Sequence, residues 1–358
     1  MAIDTTVLPI SDVKYGLKAE TSFGVGLDSA GNDGTAYLTQ PAVQVTKPTF
    51  NVTRESRLLS GRGSVKNAAD TILNLRGGTV TMPFDMVATP RTLAQHALLV
   101  GQENGTSGST LHEMEIDGSS NLKSMGGSVT SGMPHSCNLA YYPAAGAGIK
   151  VTGVVVSDLT ITGDIGANNG LLSISGNYFS GMSNPVSTGT VLEQTFDGTW
   201  VDAQTSYINV MDFQTKRLTS DGGSQDMVMK SFTFNISNGV NRVGFNTNGD
   251  AEAYIFPEYV VTGSMTIKYD AHFDYAAGTN VIQDFLDGDT LTLNLIKGSG
   301  NDAVGEMEIT AQIQYTGDPG QDISENGIFH TLEFECVQNS STEAFKLETF
   351  ENTAITSW

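Results

Sequence analysis

The sequence predicts a mainly β protein built from two tandem β-sandwich or barrel domains, each carrying one short α-helix. Three observations predict it. Gly at 40 of 358 residues, with abundant Thr, Ser and Asn and only 16% charged side chains, is the composition of many short strands joined by turns. Several stretches alternate apolar and polar residues with period two, the pattern of a strand with one dry and one wet face. The third is internal repetition. TFNVT (Thr49 to Thr53) returns as TFNIS (Thr233 to Ser237), and GGTVTMPFDM (Gly77 to Met86) returns as TGSMTIKYDA (Thr262 to Ala271), 185 residues on. TGDIG (Thr162 to Gly166) returns as TGDPG (Thr316 to Gly320), and NGLL (Asn169 to Leu172) as NGIF (Asn326 to Phe329). The offset drops from 185 to 154 between the second and third landmarks, so the first copy holds about 31 extra residues within Gln102 to Pro134.

These landmarks divide the chain into an N-terminal arm (1–42), a first β domain (43–180, with an insertion at 102–134), a connection (181–226), a second β domain (227–338) and a C-terminal tail (339–358). A chain of this length is long enough for two cores. If the halves are true copies, Phe50 should lie over Phe234 and Asp85 over Asp270.

In chain order, the arm starts with an apolar run (Val7 to Ile10) and a Gly-rich stretch (Phe23 to Gly34) that suits a segment packed on a partner or a frayed end. From Val43 to Lys47 the period becomes two. In TVTMPFDM, Thr79, Thr81, Pro83 and Asp85 alternate with Val80, Met82, Phe84 and Met86. In SMTIKYDA, Ser264, Thr266, Lys268 and Asp270 alternate with Met265, Ile267 and Tyr269. A helix is expected over Arg91 to Val100, entered through Thr89-Pro90, because Pro suits a first helical turn. Its counterpart is Asn280 to Leu286, with Val281, Ile282, Phe285 and Leu286 spaced for one face. The Gly- and Ser-rich insertion reads as a surface excursion. LTLNLI and MEITAQIQY alternate again, with Thr292, Asn294, Glu308, Thr310, Gln312 and Gln314 on the wet side. The connection contains Trp200, Tyr207 and Phe213, too many aromatics for a bare linker. The tail carries Phe345, Leu347, Phe350 and Ile355, an apolar set that suggests docking, with another subunit as one candidate host.

Charge is unevenly distributed. Residues 1 to 150 hold 11 basic and 12 acidic side chains, net −1; residues 151 to 358 hold 7 and 27, net −20. The whole, at −21, is unsuited to gripping phosphate without sequence preference. Asymmetry of this sign favours head-to-tail contact between chains, although a solvated acidic surface explains it as well. The segment from Arg54 to Gly77 carries Arg54, Arg57, Arg62, Lys66 and Arg76 against Glu55 and Asp70, while its repeat-mate carries Arg242 against Asp250, Glu252 and Glu258. Loops of equal length and opposite sign can meet in a stack of subunits; each alone is also an ordinary solvated hairpin.

No catalytic constellation emerges. The five histidines (His96, His112, His135, His272 and His330) are scattered, and no i, i+4 pair suggests helical zinc. Asp287-Gly288-Asp289 and the run Asn246 to Asp250 look faintly like calcium loops, but turn chemistry explains both, so no metal and no cofactor is expected. Cys137 and Cys336 do not make a disulfide framework. The N-terminus lacks a basic segment followed by an apolar stretch, and no apolar window is long enough to span a bilayer.

The quoted residues resemble the tail tube proteins of long-tailed, siphovirus-like bacteriophages. The likeness rests on their TGS-x-T-I-x-Y/F-D strand, the helix after it, and a late T-G-D…N-G-I strand pair. It is closest over Asn235 to Phe273 and Glu306 to Phe334; the first copy departs from the pattern at Pro83 and in its long insertion. The resemblance implies a structural, non-enzymatic virion protein whose sheet joins those of neighbouring subunits around a lumen. Rings would stack into a tube conducting DNA from capsid to host. Two domains per chain would let three chains close a ring of pseudo-six-fold symmetry. The resemblance also places Thr79, Thr81, Asp85, Ser264, Thr266, Asp270, Thr292, Asn294, Glu308, Gln312 and Gln314 on the lumen, while the charge contrast between the two loops sets Arg54, Arg57, Arg62 and Lys66 at an expected contact with an adjacent ring. Its partners would be further copies of the chain, other tail proteins at the tube ends and DNA in passage, with assembly in the host cytoplasm. The competing readings are another β-sandwich surface assembly (adhesin, S-layer or capsid-decorating protein) and a carbohydrate-active enzyme on a β scaffold.

Overall fold

The computed structural model describes residues 14–20, 23, 37–39, 44–46, 51–52, 55–58, 71–74, 80–105, 111–116, 124–125, 134–142, 149–181, 186–188, 196–197, 207–220, 223–244, 251–268, 281–300, 302–317, 320–324, 327–338 and 342–350.

The first half runs through β1 (Lys14–Ala19), β2 (Tyr37–Thr39), β3 (Gln44–Thr46), β4 (Asn51–Val52), β5 (Glu55–Leu58), β6 (Thr71–Asn74) and β7 (Val80–Val87) to α1 (Pro90–Val100). Then come β8 (Gln102–Gly105), β9 (Leu111–Ile116), β10 (Ser124–Met125), β11 (Cys137–Tyr142), the long β12 (Ile149–Asp164), β13 (Ser173–Ser180), β14 (Val186–Thr188) and β15 (Phe196–Asp197). The second half has β16 (Phe213–Ser220), β17 (Gly223–Asp226), β18 (Met229–Ser237), β19 (Asn241–Val243), β20 (Ala253–Ile255) and β21 (Val260–Lys268), then α2 (Val281–Asp287). It ends with β22 (Leu291–Lys297), β23 (Met307–Tyr315), β24 (Gly320–Ser324), β25 (Gly327–Cys336) and β26 (Phe345–Phe350).

Pairing sorts most of these strands into two layers. One is a continuous antiparallel run in the order β4-β7-β13-β12-β18-β21-β25-β23, with β24 also on β25. The other is in two parts: β2-β1-β11-β12-β14 in the first half and β17-β16-β22-β23-β26-β9-β8 in the second. Strands β12 and β23 each serve both layers. β12 pairs with β11 as far as Val154 and with β13 from Val155; β23 pairs with β22 as far as Ile313 and with β25 from Ile313. The apolar faces of the layers meet in one core, which includes Met82, Phe84, Ile161, Tyr178, Phe232, Phe234, Met265, Leu293, Ile309, Phe334 and Leu347. Their wet faces therefore point away from each other.

The mainly β architecture is thus as the sequence predicts, and both helices are present. α1 starts at Pro90 because Thr89 caps it: the Thr89 hydroxyl accepts from Thr92 N–H at 3.2 Å, and Thr92 Oγ1 accepts from Thr89 N–H at 2.8 Å. On α2 the dry face differs from the periodicity. Leu286 is 66% exposed and Asp284 is buried, which together with Asp289 and Asp287 pushes the Asp284 carboxyl up to about 6. The Asp287-Gly288-Asp289 segment is a turn, with Gly288 at φ +70°; the run Asn246 to Asp250 lies outside the described residues.

Three segments outside the repeat landmarks are integral to the sheets. β1, from the expected arm, pairs with β11, and β2 pairs with the far side of β1. Within the insertion, β9 pairs with β26 and buries Met114 and Ile116, because LHEMEI alternates as well as any core strand does. The C-terminal tail docks on its own chain: Phe345 and Leu347 are buried where β26 lies between β23 and β9. Phe213, from the connection, is buried on β16; Trp200 lies outside the described residues.

The pairing order β4-β7-β13-β12 recurs as β18-β21-β25-β23, and β2-β1-β11-β12 recurs as β17-β16-β22-β23. The register does not recur with the sequence landmarks. Asn51 pairs with Thr81, whereas its repeat-mate Asn235 pairs with Thr262, the mate of Gly77. The slip of four residues is even, so both strands keep the same face outward. Phe50, expected over Phe234, and Asp270, expected under Asp85, lie outside the described residues.

Candidate functional site

Among the described residues, the wet face of the continuous run is a coherent surface that crosses eight strands. On β7, Thr81 (exposed) and Pro83 and Asp85 (half-buried) point outward while Met82, Phe84 and Met86 are buried. Strand register carries the face sideways: Asp85 sits beside Ser175, Ser175 beside Thr160, Thr160 beside Asn235, Asn235 beside Thr262, Thr262 beside Glu335 and Glu335 beside Gln314. The next row contains Ser173, Thr162, Thr233, Ser264 and Glu333. All of these side chains are exposed or half-buried.

Cross-strand hydrogen bonds hold the face in shape. Asn177 Nδ2 donates to Asp158 Oδ1 at 2.9 Å, and Thr160 Oγ1 donates to Asn235 Oδ1 at 3.0 Å across the junction of the two halves. Described charged groups on this face are Asp85, Asp158, Asp164, Glu333 and Glu335 against Lys230 and Lys268, with Lys230 Nζ 5.3 Å from the centre of the Phe329 ring. A hydroxyl- and amide-rich surface with a small acidic excess does not bind phosphate tightly.

Glycine in the TGD and TGS landmarks has a packing reason. A Cβ on Gly163 would sit 2.6 Å from Val210 Cγ2 and 2.7 Å from a Phe232 ring carbon; one on Gly263 would sit 2.5 Å from the Phe334 ring and 2.6 Å from the Thr233 carbonyl oxygen. The rings lie against bare backbone and stiffen the sheet beneath its wet surface.

Of the residues expected to share one face, Thr81, Asp85, Ser264, Thr266 and Gln314 do lie on it. Thr292, Asn294, Glu308 and Gln312 belong to the other layer, where Thr292 Oγ1 donates to Gln312 Oε1 at 3.0 Å and Glu308 pairs with Glu348. Burial holds the Glu348 carboxyl above the usual range, Lys346 Nζ at 3.0 Å opposing the shift and Glu113 adding to it. Thr79 and Asp270 lie outside the described residues. Sequence reasoning missed Ser175, Asn177, Asp158, Thr160, Thr162, Thr233, Asn235, Glu333 and Glu335, although alternation in SDLTITGD and TLEFEC carries the signal.

Of the four basic residues expected at an inter-ring contact, Arg57 lies on β5, paired with Ile72 of β6 in a two-stranded hairpin; Arg54, Arg62 and Lys66 lie outside the described residues. The repeat-mate is also a hairpin, β19 with β20, extended by β10 of the insertion. Its Tyr254 is fully buried against Phe23 and Phe179, donating to Gly153 O at 2.7 Å and accepting from Gly181 N–H at 2.7 Å.

Among the described residues, no group of three His, Cys, Asp or Glu side chains is placed to hold a metal, and no helix is long and apolar enough to cross a membrane. Cys137 and Cys336 are free thiols. His96 is a core residue: Nδ1 donates to Thr92 O at 2.6 Å, Nε2 accepts from Tyr178 Oη at 2.6 Å, and burial lowers its pKa to about 4.

A wide polar sheet face on a two-layer β scaffold crosses from one half of the chain to the other without a break, a surface that suits a structural protein. The chain belongs to the phage tail tube protein family, whose profile matches residues 10–336. It is accordingly a structural component of the virion tail that self-assembles into a tube, and its family is not one of enzymes. None of the curated proteins matches the chain.

Proposed function

We propose that the chain is a duplicated tube subunit. Three copies close a ring of pseudo-six-fold symmetry, rings stack head to tail, and DNA passes through the channel from capsid to host. The observation that supports this reading is the recurrence of β4-β7-β13-β12 as β18-β21-β25-β23, joined edge to edge through β12 and β18. One chain thereby supplies two similar four-strand arcs with a common wet face. That face lines the channel through Thr81, Asp85, Ser264, Thr266, Gln314 and the row-mates between them; its acidic excess lets phosphate slide rather than stick. The hairpin carrying Arg54, Arg57, Arg62 and Lys66 bridges to acidic surface on the adjacent ring. Tubes of the siphovirus type assemble in the host cytoplasm, and other tail proteins meet them at the ends.

Electron microscopy of the purified protein, with native mass measurement of dissociated rings, tests the proposal. Tubes whose rings contain three chains are expected. Rings of six chains would mean that one half alone lines the channel and would overturn the duplicated-subunit reading. In intact tubes, single cysteines at Thr81 and Thr266 should resist a bulky thiol reagent applied from outside; free reaction would place this face on the exterior.

A further inference from the structure

The β1–β11 pair carries buried polar chemistry that the tube reading does not use. Leu17, Cys137 and Leu139 point into the main core, so their neighbours Lys18, Glu20, Ser136 and Asn138 point to the opposite face. That face should be wet, yet Lys18 is 8% exposed, Glu20 5%, and Ser136 and Asn138 0%. Among the described residues Lys18 is the one lysine or arginine that is buried, and strand register sets it directly opposite Asn138. The Asn138 amide has both Oδ1 and Nδ2 buried without a hydrogen bond, a costly state for a side chain held inside a sheet. Glu20, two residues from Lys18 on the same face, reaches toward the strand of Asn138: Oε2 accepts from Ser136 Oγ at 2.7 Å, and Oε1 accepts from Gly153 N–H at 2.8 Å. Tyr254, from a smaller apolar cluster that includes Phe23 and Phe256, donates to the carbonyl of the same Gly153. An amine, a carboxamide and a carboxylate thus share one buried patch on neighbouring strands.

We propose that Lys18 and Asn138 join in an intramolecular isopeptide bond, with Glu20 as the proton carrier. The Lys18 ammonium gives one proton to the Glu20 carboxylate, and the freed Nζ lone pair attacks Asn138 Cγ. The Nζ–Cγ bond forms, and the Cγ–Nδ2 bond breaks as Glu20 passes its proton to Nδ2 and takes another from Nζ. Ammonia leaves and carries that last proton away as ammonium, so Glu20 returns to a carboxylate and nothing is oxidised or reduced. Two effects favour the reaction. Paired residues of a folded sheet hold amine and amide together, so the step is intramolecular. The product also replaces a buried ammonium and a primary amide by one neutral secondary amide, which has fewer polar hydrogens to satisfy. The bond closes the chain between residues 18 and 138 into a covalent loop, with the entropic effect of a disulfide and no sensitivity to reductant.

The test is the intact mass of the purified full chain, unfolded in the presence of reductant, and it is independent of whether tubes form. The parent should be lighter than its sequence by one ammonia, and a proteolytic digest should contain a branched peptide joining Lys18 to Asn138. K18R and N138A should each show the full mass of their own sequences and migrate more slowly than the parent in a denaturing gel. E20Q should form the bond about 100-fold more slowly, followed as the cross-linked fraction against time after purification; a fraction equal to the parent's would remove Glu20 from the reaction. A parent chain of full sequence mass would overturn the proposal. So would a chain lighter by one ammonia whose digest holds no branched peptide, which is the mark of a succinimide at an asparagine.

Discussion

At the residue scale, His96 shows how a polar side chain is made part of a β core. Its ring lies 4.7 Å from Phe84 and 5.6 Å from Tyr178 between centroids, and both nitrogens are satisfied only while the imidazole is neutral. Because burial lowers its pKa to about 4 from an ordinary value near 6.5, the unfolded chain binds the proton more readily between those limits. Stability from this group is therefore complete above about pH 6.5 and is lost as pH falls towards 4, by about 3 kcal/mol in all. Chemical denaturation of the parent at pH 7 and pH 4.5 should show this loss on top of the general acid effect. His96→Gln, which has no proton to gain, should show a shallower loss; parallel curves for the two proteins would remove His96 from the account.

At the scale of elements, the strands themselves were legible. Alternation identified β7, β21, β22 and β23, and Thr89-Pro90 identified the start of α1. Their partners were not, because period two fixes which face a strand buries and says nothing about which edge meets which. Thr292 and Thr81 have the same local pattern yet lie on different layers, since β23 leaves one layer at Ile313 and enters the other. The C-terminal strand makes the same point: an apolar set at a terminus predicts docking without naming the host. Leu347 is buried with Ile309 on one side and Met114 on the other. Leu347→Ala should therefore cost about 2–5 kcal/mol in the isolated monomer, read from the denaturation midpoint. A cost below about 1 kcal/mol would show that β26 is not held within its own chain.

At the scale of the molecule, the sequence carried the order of events better than their geometry. Four repeated landmarks predict a two-part chain, and the recurring pairing orders support the duplication proposed above, but the slip of four residues between Asn51–Thr81 and Asn235–Thr262 lay beyond any offset count. Charge contrast bears on stacking in the same way. The β5–β6 hairpin is basic in a chain of net charge −21, and individual exposed ion pairs contribute only about 0.2–1 kcal/mol. Repeated around a ring, such contacts act together and weaken with salt. Replacing Arg54, Arg57 and Arg62 together by Glu should leave the monomer folded by circular dichroism and suppress tube growth, most strongly at low ionic strength. Growth equal to the parent's under those conditions would remove the hairpin from the inter-ring contact.

The β12–β18 pairing has a kinetic consequence. In a ring of six separate subunits every junction joins separate molecules, whereas in the proposed ring the covalent link through residues 181–226 would turn one junction in two into an intramolecular step of high effective concentration. Under the ring proposed above, only three chains have to meet, and nucleation should rise with about the third power of free chain concentration rather than the sixth. Such a protein can begin tubes while dilute, and its lag time measures how much of the ring was completed by folding before any two molecules met.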